Sequence, residues 1–214
     1  MKLKRVIAIA ASVVLAACSS KESPKPTPSG SASAVAPDSF RVAFATSRGP
    51  FTVDVTRSLS PLGADRFYQL VTSGYFTDVR FFRVVPGFVT QFGMSGDPKV
   101  NAEWSAKTIL DEPVKETNAR GTIVFATSGP NSRANQLFIN LADNARLDGM
   151  GFSPFGRVVD GMTVVDSIYA GYGEAPDQTQ ITALGNSYLT AQFPKLDYIK
   201  SATIVNGTPV TKSE

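Results

Sequence analysis

The 214-residue chain contains no histidine. That absence excludes Ser-His-Asp and Cys-His catalysis and removes the commonest zinc ligand. It has a single cysteine, Cys18, so no disulfide can form within it. Surplus positive charge is missing too. Three of the 21 Lys and Arg residues lie in Met1–Arg5, and the rest balance the 18 Asp and Glu. The electrostatic case for nucleic acid as a partner is thereby withdrawn. The glycines stand in no phosphate-loop or Rossmann context, and the acidic residues show no metal-ligand spacing. Chemistry without a metal or cofactor is the expectation, and the chain carries no internal repeat.

Long hydrophobic runs are scarce. VIAIAASVVLAA spans Val6–Ala17 behind Lys2, Lys4 and Arg5, and it is shorter than the ~20 residues a spanning helix needs. A basic start and a short apolar run read as a signal peptide over residues 1–17. Leu15-Ala16-Ala17-Cys18 resembles the lipobox of bacterial lipoproteins. The resemblance implies lipidation of Cys18 and a membrane as partner, with the protein extracytoplasmic. Ser19 after the cysteine resembles lipoproteins sorted to the outer membrane of Gram-negative cells, where the chain would face the periplasm. Residues 18–38, rich in Ser, Pro and Ala, lack the large apolar side chains needed to pack and are expected to form a flexible tether. The rest, 39–214, suits one domain with a substantial core, a monomer by default.

From Phe40 the pattern has period two. Phe40, Val42 and Phe44, then Phe51, Val53 and Val55, alternate with more polar residues around Ser47-Arg48-Gly49-Pro50, which predicts a β-hairpin. A helix is expected next, with Ser60 as its cap, Pro61 in the first turn, Phe67, Leu70 and Val71 on one face and Gly74 after its end. Phe81–Val85 and Phe88–Phe92 read as strands about the Pro86-Gly87 turn. Residues 97–118 read as a long surface loop pinned by Trp104. Further strands are expected at Thr122–Thr127, Gln136–Asn140, Phe155–Val159 and Tyr198–Val205, with helices at Gly161–Tyr169 and Ile181–Gln192. Many short strands with two or three helices suit a mainly β fold, either a closed antiparallel barrel with helical caps or a sandwich.

Within FFRVVPGFVTQFG (Phe81–Gly93), Arg83 is the anomaly, since a guanidinium is rarely buried without a partner. Local pattern leaves it either on the solvent side of a half-buried strand or beside Gln91 at an apolar groove. Three segments bear on the choice. FFRVVPGFVTQFG resembles the central motif of cyclophilins. GTIVFATSGPNSRANQLFIN (Gly121–Asn140) resembles their second motif, and LDGMGFSPFGRVVDGMTVVDSI (Leu147–Ile168) their third. The resemblance spans residues 40 to about 205, in order and spacing.

It implies a closed eight-stranded barrel and peptidyl-prolyl cis-trans isomerase activity on proline-containing polypeptides, aiding the folding of exported proteins. By it, Arg83 and Gln91 are the catalytic residues. Phe88, Val89, Phe138, Leu147 and Phe152 line a proline slot, while Ala126, Thr127 and Gln136 flank the substrate backbone. There are departures. Arg146 stands where animal cyclophilins often have a tryptophan that helps bind ciclosporin, which implies weakened inhibition. Thr127 replaces the usual asparagine, and a residue is added near Phe152. Two other readings remain at this point: a module that docks proline-containing segments without catalysis, and a barrel-shaped carrier of small ligands.

Overall fold

The computed structural model describes residues 35–205. Cys18 and the signal-like segment lie outside the described residues. The alternating apolar residues from Phe40 form β1 (Ser39–Thr46) and β2 (Pro50–Thr56), an antiparallel hairpin with Val42 opposite Val53 and Phe44 opposite Phe51. Phe44 and Phe51 stack with ring centroids 4.7 Å apart. On the other face, Arg41 and the opposing Asp54 form a two-pronged ion pair at 2.6 and 2.8 Å. Ala36, in the Ser/Pro/Ala-rich stretch before the hairpin, is buried, and its N–H donates to Asp65.

Helix α1 (Pro61–Thr72) lays Phe67, Leu70 and Val71 on the core, as its spacing predicts. Its cap differs from expectation. Ser60 occupies the N-cap position, but its hydroxyl donates to Glu112 rather than capping the helix. The Glu112 carboxylate takes the helix N–H groups of Leu62 and Gly63 at 2.7 and 3.0 Å. A carboxylate suits that end of a helix dipole, and the buried Arg133 balances it at 3.0 Å.

Then come β3 (Arg83–Val85), β4 (Val89–Phe92), β5 (Thr122–Phe125), β6 (Leu137–Asn140), β7 (Pro154–Asp160) and β8 (Ile199–Val205). All ladders are antiparallel, in the order β3-β4-β6-β5-β7-β2-β1-β8. The expected closed barrel is in fact a curled sheet whose edge strands share no ladder. β3 has only three residues and is preceded by Asp78 at φ 59°. The ends meet through a single bridge, Arg80 to Tyr198, and a few hydrogen bonds such as Phe81 N–H to Asp197 O at 3.0 Å. Outside it, the free Val84 N–H of β3 is taken by Gly173 O at 3.2 Å.

Two further expectations fail locally. Within 97–118 lies a helix, α2 (Pro98–Ser105), capped by the Asp97 carboxylate at Lys99 N–H, 2.8 Å. Trp104, half-buried, packs edge-on against Tyr75 at 5.7 Å. After the short α3 (Met162–Asp166), the stretch expected as one helix over 181–192 is two, α4 (Gln178–Leu184) and α5 (Asn186–Gln192). They break at Gly185, φ 57°, where a side chain would strike Gly96 O at 2.0 Å. Phe82, Met94, Ile181, Leu189 and Leu196 form a second small core that fastens α4 and α5 beside β4.

Candidate active site

A third apolar cluster stands apart from both cores. Val89, Val124, Phe138 and Leu147 are buried in it, with Phe88, Ala126 and Phe152 packed around them. This cluster floors an open cavity of about 500 Å³. All ten residues singled out in the sequence line that cavity: Arg83, Phe88, Val89, Gln91, Ala126, Thr127, Gln136, Phe138, Leu147 and Phe152.

Strand register explains how they meet. Arg83 pairs with Gln91 across β3 and β4, Gln91 with Phe138 across β4 and β6, and Phe138 with Val124 across β6 and β5. Residues opposite one another in a pleated sheet share a face, so one row runs from guanidinium through amide to apolar slot. The turn between β3 and β4 has Pro86 followed by Gly87 at φ 71°, closed by Phe88 N–H to Val85 O at 3.0 Å. That is the residue pair of a type II turn, and it sets Phe88 at the rim. Two cations approach the Phe88 ring, with Arg83 Cζ 5.7 Å and Arg146 Cζ 4.7 Å from its centroid.

The polar wall has a fixed sense. Arginine only donates. Arg83 Nη1 donates to Gln91 Oε1 at 3.2 Å, and Gln91 Nε2 donates to Gln136 Oε1 at 2.9 Å. With its oxygen so engaged, the Gln136 amide keeps its NH₂ as a donor. Gln136 reaches this place because Gly93, φ 107°, lets the end of β4 run against the backbone of Asn135, where a Cβ would lie 2.2 Å from the carbonyl oxygen. Behind them Tyr75 donates to Gly93 O at 2.8 Å and accepts from Asn135 at 2.7 Å. Burial pushes its hydroxyl pKa up to about 12, so it remains a donor.

A 3-10 helix, Ala145–Met150, supplies Leu147. It is anchored by Asn144, whose amide donates to Phe88 O at 2.9 Å, and by Asp148, which accepts from Thr117 and Asn118 at 2.6 to 2.8 Å. Asn118 also donates to Phe152 O at 2.9 Å, fixing the Phe152 ring edge-on to Phe138 at 5.5 Å. The Thr127 hydroxyl is engaged by its own loop, with Ser132 at 2.7 Å and Gly129, so the face it offers the cavity is largely backbone.

The sequence reading missed Glu174. Its carboxylate meets Arg83 Nε at 2.6 Å. Separated by 91 residues and set in an irregular segment, it offers no periodic signal. Ser105, Ser132 and Gln178, which also line the cavity, were missed as well. Among the described residues no group of three or more Cys, Asp or Glu is placed to hold a metal ion.

Chemically, the arrangement offers an apolar slot, a cationic donor at its edge and amide groups able to bond a peptide backbone. Residues 41–185 match the family model described as cyclophilin type peptidyl-prolyl cis-trans isomerase/CLD. Peptidyl-prolyl cis-trans isomerase A of Dickeya dadantii is 38% identical over 142 residues, covering 61% of this chain and 71% of that protein. The Aspergillus oryzae peptidyl-prolyl cis-trans isomerase-like 1 is 38% identical over 128 residues, covering 58% and 78%. Among solved structures, a Cryptosporidium parvum cyclophilin type isomerase superposes with a TM-score of 0.60 at 21% identity, over 79% of this chain and 99% of that one.

Proposed function

The chain belongs to the cyclophilin-type peptidyl-prolyl cis-trans isomerases, and from that premise we propose how its groove turns an X–Pro bond and where it works. The bond is planar by resonance, with a rotation barrier of ~20 kcal/mol and isomerisation over tens of seconds or longer. In the twisted state conjugation is lost and the prolyl nitrogen regains a lone pair. A donor fixed beside that nitrogen binds the twisted state more strongly than the planar one, which lowers the barrier.

Arg83 is that donor. The observation that carries this is its placement: directly opposite Gln91 in register, bonded to it at 3.2 Å, and beside the Phe88–Phe138 slot that would hold the ring. Phe138 and Leu147, buried at the floor, and Phe152 grip the ring, while Gln136 and the backbone near Ala126 and Thr127 hold the flanking peptide. No proton is transferred in such a mechanism. In a protease-coupled assay on a short X–Pro peptide, Arg83→Ala should lose on the order of a hundredfold in kcat/KM, as for loss of one transition-state donor. Its circular dichroism and melting should stay as in the wild type. An equally active variant would remove Arg83 from the mechanism.

The site of action is proposed from the N-terminal sequence. Lys2, Lys4 and Arg5, the apolar run and Leu15–Cys18 support export and lipidation at Cys18. One acyl chain anchors a protein marginally, whereas two or more hold it stably. The clients would then be exported polypeptides, met at the cell envelope. Cells labelled with radioactive palmitate should yield labelled protein in the membrane fraction. Cys18→Ser should carry no label and leave that fraction, and label persisting in this variant would exclude Cys18 as the acceptor.

A further inference from the structure

Arg83 is held on a second side by an element that contributes no strand to the site. Glu174 lies in the segment between α3 and α4, and its Oε1 is 2.6 Å from Arg83 Nε and 2.5 Å from Nη2. The segment is fastened down. Gly173 O takes the Val84 N–H of β3 at 3.2 Å, and internal bonds from Gly173 to Ala170 and from Ala175 to Tyr172 close its turns at 2.9 Å. Tyr172 packs edge-on against Tyr169 and Phe193, both at 5.1 Å. Glu174 therefore approaches Arg83 from a backbone locked to the neighbouring residue of the same strand.

The Glu174 side chain is 61% exposed, and an ion pair so open to water adds little to stability. Its effect on geometry is larger. A guanidinium has five N–H donors in one plane. Glu174 takes those of Nε and Nη2 on one edge, and Gln91 takes one from Nη1. Rotation of the plane would break bonds to both. One N–H on each terminal nitrogen is left uncommitted.

We propose that Glu174 is a positioning residue for the isomerisation: it fixes the plane of the Arg83 guanidinium so that the two remaining N–H groups are presented to the prolyl nitrogen. The proposal rests on Arg83 as the donor in catalysis. It requires the Oε1 acceptor, and the charge is secondary.

The test compares Glu174→Ala and Glu174→Gln in the full chain, each with Arg83 present and with Arg83→Ala. Misplacing a reacting group is costly, so Glu174→Ala should lower kcat about tenfold, while KM stays within about twofold because ground-state binding is untouched. Glu174→Gln, which keeps an oxygen at Oε1, should restore most of the rate. In the Arg83→Ala background, Glu174→Ala should change nothing. Independently of activity, the Arg83 Nε–H resonance, identified by its loss in Arg83→Ala, should exchange with water faster in Glu174→Ala than in the wild type. A Glu174→Ala variant as fast as or faster than wild type overturns the proposal, as does an equal loss in both backgrounds or an unchanged Nε–H exchange. An active Arg83→Ala overturns it by removing its premise, a result distinguishable from silence at Glu174 alone.

Discussion

Arginine side chains keep their charge across the whole working range of pH, and the mechanism proposed for Arg83 moves no proton. The chain has no histidine, and among the described residues Arg83 is the only ionisable one lining the cavity. No lining side chain therefore has an ordinary pKa between about 6 and 8, and kcat/KM should be flat over that interval. A titration step there, measured with a peptide free of ionisable side chains, would require a proton-transferring group the mechanism does not contain. Arg146, beside the slot residue Leu147, touches the site through Phe88. The Arg146 guanidinium lies over the Phe88 ring, 4.7 Å from its centroid.

Elements hold these residues, and one small element does so through an acid. Burial raises the Asp148 pKa, but hydrogen bonds from Thr117 and Asn118 outweigh it and hold the carboxyl below its ordinary value. A carboxyl depressed on folding stabilises above its unfolded pKa, about 3.9, and the gain is lost as pH falls through the folded value. Asp65, lowered chiefly by hydrogen bonds from Arg57, acts in the same sense. Asp148→Asn should thus melt below the wild type at neutral pH, with the two Tm curves converging as pH falls through the carboxylate range. Parallel curves would mean that Asp148 contributes nothing through its charge. Because Asp148 ties the Ala145–Met150 helix to the loop fixing Phe152, its loss should loosen the slot as well.

For the molecule as a whole, the parts legible in the sequence are those whose packing leaves a period. Strand β1 buries every second residue, and α1 lays Phe67, Leu70 and Val71 on the core. The ten site residues were legible for another reason: they sit in three short motifs that resemble those of cyclophilins. Strand register brings Arg83, Gln91 and Phe138 into one row, and turns, loops and the Ala145–Met150 helix bring most of the others to it. Helix α2 was hidden because Asn101 is its only buried residue, so it shows no apolar stripe. The break at Gly185 depends on the approach of Gly96, 89 positions earlier in a different element, and the same kind of distance hid Glu174. Closure of the barrel could not be read because it turns on how short β3 is.

The Val84-to-Gly173 hydrogen bond has one more consequence. Open strand edges invite other strands to add on, and an isomerase meets chains whose own strands are not yet paired. On β3, the edge that carries Arg83, the outward N–H is already occupied by the enzyme's own loop. A client is thereby received by side chains in a slot, and it can leave again, because this edge offers it no ladder to join.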